Sequence, residues 1–220
     1  AILLKSIPWL VAALMSPLAG ADPSYPNKPI RIVVPFTPGG SPDVLARTLG
    51  QKITEATGAT VVVENIAGAG GTIGADRVAK APADGYTLLF GTNSTNAALK
   101  SLMNKLPYDQ ETAFTPVGFM GSVPLIVGVH PALPYKTLRE FVEAAKAKPD
   151  AISFASASTS QLVSSEMLAH AAGISMTHVP YKSGPAAMTD LIGGQVNLFT
   201  ADFAVMLPQV KAGKDRKSVV

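Results

Sequence analysis

The sequence predicts an α/β protein with two similar lobes and a ligand cleft between them. Apolar, largely β-branched runs typical of buried strands recur along the chain. The interval between them is slightly less than about 30 residues, the length of a strand-helix-strand unit. The pattern changes over residues 114–129, where two short apolar runs surround Pro124 without a long helix. In each half a donor-rich loop follows a strand, which favours a cleft that closes on a small ligand by hinge motion.

We expect a signal peptide at residues 1–21, a first α/β lobe at 22–115, a second at 116–211 and an aberrant or truncated tail at 212–220. Lys5 precedes a mostly apolar run, and Ala19-Gly20-Ala21 provides a small-residue cleavage site. The run is interrupted by prolines and is shorter than the roughly 20 residues of a transmembrane helix. The chain has no cysteine, so the mature protein is expected outside the cytoplasm without disulfides or a lipid anchor.

The opening stretch IRIVVPFTPGGSPDVLAR predicts a strand over residues 30–36, buried on both faces, followed by a helix. Ser41 is the expected N-cap, Pro42 suits the first helical position and Asp43 lies in the first turn. Apolar residues at i, i+4 and i+8 give the helix a stripe to pack on the sheet: Leu45, Leu49 and Ile53.

The turn between this strand and helix is a candidate anion-binding pocket. Backbone N–H groups at Gly39 and Gly40 would lie at the positive end of the helix dipole, where a carboxylate is favoured. The alternative is that the glycines only permit a tight turn. Asp43 either complements the dipole or meets a ligand N–H, a hydroxyl or a water beside the bound carboxylate.

Two more buried strands are predicted in the first lobe, at residues 60–64 and 86–91. The glycine-rich segment between them fails as a dinucleotide-binding motif, because Ile73 stands where the third glycine is required. It is interpreted as a turn into a helix that includes Val78. Thr92 and Asn93 follow the third strand at the sheet edge where ligands bind, and either line the pocket or cap the next helix.

The second lobe is expected to alternate helices and strands. Helices are predicted at 137–148, 160–172, 185–192 and 203–211, with strands at 152–155, 177–179 and 196–200. The loop over residues 156–161 joins a strand to a helix with small hydroxyl residues. These hydroxyls either donate to a ligand carboxylate or serve only as a serine-rich cap.

Several kinds of chemistry are not supported by the sequence. A net charge of +3 without a basic, aromatic-rich cluster gives no sign of nucleic-acid binding. His130, His170 and His178 show no metal-ligand spacing. No hydrolase, metalloprotease or nucleotide-binding motif is present, and no serine has an evident base beside it. No cofactor is expected, and an enzyme is the weaker class.

Three segments together resemble the periplasmic substrate-binding proteins of tripartite tricarboxylate transporters, the Bug family. They are PFTPGGSPDVLAR, ENIAGAGGTIGADRVAKAPADGYTLLFGT and HVPYKSGPAAMTDLIGGQVNLFTAD, and the resemblance covers about Tyr25 to Gly213. It implies a type II periplasmic-binding-protein fold in which a carboxylate is held between two lobes by backbone N–H groups and ordered water. It also implies membrane transporter subunits as partners, a periplasmic location and a monomer when the protein is complete.

Carried over by motif, Pro38, Gly39, Gly40 and Asp43 match the first-lobe pocket, the 156–161 loop the second-lobe pocket, and Tyr181 and Asp202 the cleft or its hinge. The full set of predicted ligand-binding residues is Phe36, Pro38, Gly39, Gly40, Ser41, Asp43, Thr92, Asn93, Ser158, Thr159, Ser160, Gln161, Tyr181 and Asp202. Ser158 and Gln161 stand where many relatives have a glycine and a histidine, and Ile66-Ala67 replaces a frequent Arg-Pro pair. Ligand identity therefore does not transfer.

The expected function is a solute receptor that delivers a small carboxylate to a membrane transporter. The alternatives are an enzyme using Asp43 or Asp202 as general base, and a scavenging or sensing protein without a transporter. Dicarboxylates, tricarboxylates, amino acids, aromatic acids and nicotinate-like rings all remain candidate ligands. Polar residues at 214–218 stand where relatives continue into an apolar returning strand, so the C-terminal part of the first lobe is expected to be missing.

Overall fold

The computed structural model describes residues 25–212, and they form two α/β units, each with its own sheet. The expected signal peptide and the segment from residue 213 onward lie outside the described residues. No helix between residues 25 and 212 is both long enough and apolar enough to cross a membrane.

The first sheet has three parallel strands in the order β2-β1-β3. They are β1 Ile30–Val34, β2 Val61–Asn65 and β3 Thr87–Leu89. The central strand β1 is buried except for Arg31, which pairs with Glu64 on β2 at 3.4 Å. The prediction that β2 is a fully buried strand is wrong. It lies at an edge of this sheet, where Val62 is 48% exposed.

Helical segments follow each strand of this sheet. They are α1 Ser41–Thr57, a 3₁₀ turn Ala69–Gly71, α2 Thr72–Ala79, a π-helical turn Ser94–Ala98 and α3 Leu99–Leu102. The predicted stripe of Leu45, Leu49 and Ile53 is only partly buried. Ala46 and Gly50 are buried instead, because α1 packs so closely that a Cβ on Gly50 would lie 3.0 Å from Val61 Cγ1.

The second sheet has four strands in the order β4-β7-β5-β6. They are β4 Leu125–Val129, β5 Ser153–Ser156, β6 Thr177–Pro180 and β7 Leu198–Asp202. The strands β5, β6 and β7 run parallel, whereas β4 is antiparallel to β7. The helices are α4 Leu138–Ala147, α5 Thr159–Ala172, α6 Gly184–Ile192 and α7 Phe203–Lys211. Every helix and strand predicted here from residue 137 onward is present, with ends that differ by at most two residues.

Side chains on both faces of the second sheet are buried, as expected when helices cover a sheet on two sides. Phe154 and Leu198 pack with Phe141 of α4 in one cluster. Their chain neighbours Ala155 and Phe199 point to the opposite face and pack with α6 and α7 side chains such as Met188. These two layers fix the ends of β5 and β7, from which cleft residues project.

The segment between the sheets forms β4 but no other strand. The second apolar run becomes Leu125–Val129, whereas the first remains without regular structure. In that first run Val117 is 85% and Phe119 86% exposed.

Truncating Phe154 tests the core of the second sheet. Phe154 is fully buried, so Phe154→Ala should lower the free energy of unfolding by about 3–5 kcal/mol, the usual cost of a large-to-small core change. Phe119→Ala makes the same chemical change at an exposed position and should cost well under 1 kcal/mol in urea unfolding. Equal losses in the two variants would contradict this description of the core.

Candidate functional site

A single cleft is lined by the loops that follow all six parallel strands. The first sheet contributes Phe36, Thr37, Gly40, Ser41, residues 67–71 and residues 91–94, and the second contributes Ala157, Ser158, Ser160, Gln161, residues 181–185 and Asp202. Loops after parallel strands gather at the carboxyl edge of a sheet, the usual place for a ligand in open α/β folds. The two sheets therefore present these edges to one another.

Most predicted site residues are brought together here. Those that line the cleft are Phe36, Gly40, Ser41, Thr92, Asn93, Ser158, Ser160, Gln161, Tyr181 and Asp202. Pro38, Gly39, Asp43 and Thr159 are absent from the lining. Pro38 and Gly39 are exposed, and Asp43 and Thr159 are buried.

Helices of both units begin at the cleft, and among them are α1 of the first unit and α5, α6 and α7 of the second. Their N-cap residues are Gly40 for α1, Ser158 for α5, Ser183 for α6 and Asp202 for α7. The first N–H groups of a helix have no partner within it and lie at the positive end of its dipole. Several positive helix ends thus point toward one space from opposite sides.

The turn between β1 and α1 is shaped differently from the sequence prediction. Gly39 has φ +91°, a conformation that side chains rarely adopt, whereas Gly40 has φ −83° and ψ 168°. Gly40 is the N-cap residue and Ser41 already belongs to the helix, so the expectation that Ser41 caps α1 is wrong. A Cβ on Gly40 would lie 3.9 Å from Asp202 Oδ2 across the cleft.

Asp43 anchors this turn from beneath. Its Oδ2 accepts a hydrogen bond from Gly39 N–H at 3.0 Å, and its Oδ1 accepts from Asn65 Nδ2 at 3.0 Å and pairs with Arg47 at 2.9 Å. Burial raises the pKa of Asp43, but the hydrogen bonds from Arg47, Gly39 and Asn65 outweigh it and hold the pKa below its ordinary value. Both oxygens are engaged, so Asp43 positions the turn instead of facing the cleft.

Hydrogen bonds join the two units at the cleft. Ser41 Oγ on α1 donates to Asp202 Oδ1 at 3.0 Å. On the other side, Ser94 Oγ accepts from Ser160 N–H at 3.3 Å and lies 3.3 Å from Ser160 Oγ. These contacts connect the loops of the two units beside the cleft.

The second-unit loop is held by its own side chains. Ser158 Oγ accepts from Gln161 N–H at 3.4 Å, and Gln161 Oε1 accepts from Ala157 N–H at 2.7 Å. Thr159 is the first residue of α5 and is 8% exposed. It does not line the cleft, and the N-cap of α5 is Ser158, one residue earlier.

Ser94 was not predicted as a site residue because it depends on a π-helical turn over residues 94–98. The carbonyl of Thr95 accepts from Tyr108 Oη at 2.8 Å and from Gln110 Nε2 at 2.7 Å. Asn93 precedes the turn without a side-chain cap bond, so the capping alternative for that residue is wrong. A π-turn near a ligand site is a common feature of functional regions.

Two further parts of the lining were also missed. The glycine-rich loop 67–71 faces the cleft, and a Cβ on Gly70 would lie 3.5 Å from Thr159 Oγ1. Lys182 adds a positive charge beside Tyr181. Burial, reinforced by the hydrogen bond that Tyr181 Oη donates to Asp190 Oδ2 at 2.7 Å, raises the pKa of Tyr181 to about 12.

One serine does have a histidine beside it, contrary to the sequence prediction. Ser156 Oγ lies 2.8 Å from His178 Nε2, on neighbouring strands β5 and β6. Ser156 is 6% exposed and does not line the cleft. Within residues 25–212 no cluster of three or more His, Asp or Glu side chains could hold a metal ion.

Comparisons with known proteins agree with this geometry. The family model described as tripartite tricarboxylate transporter family receptor matches residues 45–220. Protein BugT of Bordetella pertussis is 38% identical over 208 residues, which cover 93% of this chain and 63% of that protein. The chain therefore spans slightly less than two thirds of that relative's length.

Solved structures show the same fold. The structure titled R. palustris Rpa4515 with adipate is 32% identical with a TM-score of 0.87, covering 90% of this chain and 66% of that one. MatC from Rhodopseudomonas palustris, with bound malate, is 31% identical with a TM-score of 0.82, covering 89% and 67%. The two-unit α/β architecture is thus that of periplasmic binding proteins, and the family match over residues 45–220 shows that this chain belongs to the tripartite tricarboxylate transporter receptor family.

Proposed function

We propose that the protein is an extracytoplasmic solute receptor that captures a small carboxylate between its two lobes. The observation that carries the proposal is the convergence of helix N-termini from both units on one cleft. Such ends offer N–H donors and a positive potential to an anion. The related structures with adipate and malate hold ligands of this chemical class.

Ligand delivery to a tripartite tricarboxylate-type membrane transporter is the expected role. Family membership supports the transporter subunits as partners, a periplasmic location and a secretion signal at residues 1–21. We retain a lobe boundary between residues 115 and 116, since it lies in the segment between the two sheets. We also propose that the complete protein acts as a monomer whose lobes move about this connection.

The proposed ligand contacts come from the residues that line the cleft. Gly40 and Ser41 would act from the first lobe, and Ser158 and Ser160 from the second. Ser94 joins them because it already meets Ser160 across the cleft. Asp43, Gln161 and Asn65 support these residues through the bonds that shape their loops.

This arrangement supports an enzyme less well than a receptor. The Ser156–His178 pair is the contact that a hydrolase would require, but Ser156 is buried outside the cleft lining. Asp43, one of the two candidate bases, has both oxygens engaged. Stoichiometric binding that returns the ligand unchanged would distinguish a receptor from an enzyme.

Substitutions at Gly40 and Gly39 test the first-lobe pocket. The backbone of Gly40 accepts any residue, but a valine side chain would project toward Asp202 Oδ2. Gly40→Val should therefore leave folding intact and weaken carboxylate binding by about 1–3 kcal/mol, measured by calorimetry across a panel of carboxylates. If a folded Gly40→Val protein bound carboxylates with unchanged affinity, the first-lobe pocket would be ruled out as a ligand site.

Gly39→Ala is the matched control. It should lower stability but leave carboxylate affinity near that of the wild type, because Gly39 does not line the cleft. The φ of +91° at Gly39 strains any side chain, so this variant should lose about 1 kcal/mol or more of unfolding free energy.

Asp43→Asn tests the support beneath the turn. At pH 7 the variant should lose about 1–2 kcal/mol of unfolding free energy, because an amide replaces a buried acceptor of several hydrogen bonds. Since the folded-state pKa of Asp43 is lowered, its contribution is complete above the ordinary value of 3.8 and is lost as pH falls further. The gap between the wild type and Asp43→Asn should therefore narrow below about pH 4.

Urea unfolding at pH 7, 5 and 3.5 measures this gap. Glu166→Gln, at an exposed position of α5, makes a comparable change and should alter stability little at any of these pH values. A gap for Asp43→Asn that stays constant with pH would refute the ionised role of Asp43.

A further inference from the structure

The side chain of Gln161 has one amide atom fixed and the other free. Its Oε1 accepts a hydrogen bond from Ala157 N–H at 2.7 Å, whereas its Nε2 has no acceptor among the described residues. A backbone N–H can only donate, so the amide atom that faces Ala157 must be the oxygen. The amide group therefore has one possible orientation, in which the two N–H donors of Nε2 point away from Ala157.

The free end of this side chain opens into the cleft. Gln161 is only 4% exposed, and it lines the cleft. Among the residues of 25–212 that are not exposed, Asp76 Oδ1 is the one side-chain oxygen or nitrogen sealed from solvent without a hydrogen bond. The Nε2 of Gln161 therefore keeps access to open space, and the cleft is the space that this residue lines.

The position of Gln161 on α5 brings its amide to the loop. It is the third residue of the helix, and its own N–H donates to Ser158 Oγ at 3.4 Å. In the usual capping box, a glutamine at this position accepts the N–H of the cap residue itself. Here Gln161 accepts the N–H of Ala157, one residue earlier, so its side chain reaches further into the loop that borders the cleft.

An amide nitrogen with two free N–H groups donates hydrogen bonds and accepts none. Closure of the lobes around a ligand would remove water from Nε2, which would be left unsatisfied unless the ligand supplied an acceptor. The N-terminus of α5 adds a positive potential at the same place, which favours an acceptor with negative charge. A carboxylate oxygen meets both requirements.

We propose that Gln161 is a specificity-determining residue of the cleft, in which Oε1 holds the loop and Nε2 donates to an oxygen of the ligand carboxylate. This rests on the proposed function, because it presupposes that the cleft binds a carboxylate. Gln161 selects a ligand that presents an acceptor at this point over one that presents a donor or an alkyl group. Because an amide does not titrate, the strength of this contact does not change with pH.

Gln161→Glu separates ligand binding from loop support. Glutamate has the same shape and keeps an oxygen for Ala157 N–H, so the melting temperature should stay near that of the wild type. Its second oxygen replaces Nε2 with an acceptor that repels a carboxylate. In calorimetry on the full chain at pH 7, whichever of succinate, adipate and benzoate bind the wild type should bind this variant about tenfold or more weakly. Gln161→Met removes the loop bond as well and should lower both the affinity and the melting temperature.

The loss of affinity in Gln161→Glu should also depend on pH. A bound carboxylate raises the pKa of the introduced glutamate above its ordinary value of about 4.3, because two negative charges lie together. Protonation restores a donor, so the ratio of the variant and wild-type dissociation constants should fall between pH 7 and pH 5. Gln195→Glu makes the same change at an exposed position outside the cleft lining and should leave the affinity unchanged at both pH values.

Unchanged affinity in a folded Gln161→Glu protein would overturn this proposal but leave the receptor function standing. A loss of the same size at pH 7 and pH 5 would also overturn it, since such a loss would come from an altered loop and not from a charge beside the ligand. Failure of all three acids to bind the wild type would overturn both proposals.

Discussion

The structure depends on how the unsatisfied N–H groups at the helix starts are distributed. Each helix that begins at the cleft leaves its first donors without intrahelical partners. Part of this need is met internally, by Ser158, Ser183 and Asp202 for α5, α6 and α7, while α1 begins at Gly40 without a side-chain cap. At α1 the backbone meets part of this need, because Asp43 N–H donates to the carbonyl of Gly40 at 3.1 Å and Pro42 has no N–H.

The carboxylate of Asp43 supports the turn before this helix. It takes up the N–H of Gly39, the residue with the strained φ, and it is held in turn by Asn65 on β2 and Arg47 on α1. The turn is rigid because its support is shared by a strand and a helix. Ser41, the first residue of α1, reaches across to the other unit through its side chain.

Local patterns in the sequence predicted most of the fold. Residues such as Val33 and Phe154 lie in short apolar runs whose spacing identifies strand-helix units, and the helices expected from about Ser41 and Pro185 begin within one residue of those positions. Features that depend on distant partners were not predictable. Ser94 enters the cleft only because Tyr108 and Gln110 hold a π-turn, and β2 is exposed because of its place in the sheet.

Asp202 has one role that stabilises the structure and another that carries an electrostatic cost. As the cap of α7 and the acceptor of Ser41, it links the second unit to the first through Oδ1. Its other oxygen places a negative charge in a site where positive helix ends favour anions. Serine or asparagine would perform the first task without that electrostatic cost. That negative charge is favourable only if another group in the cleft compensates it. Asp202 therefore both links the two units and restricts which ligands allow the cleft to close.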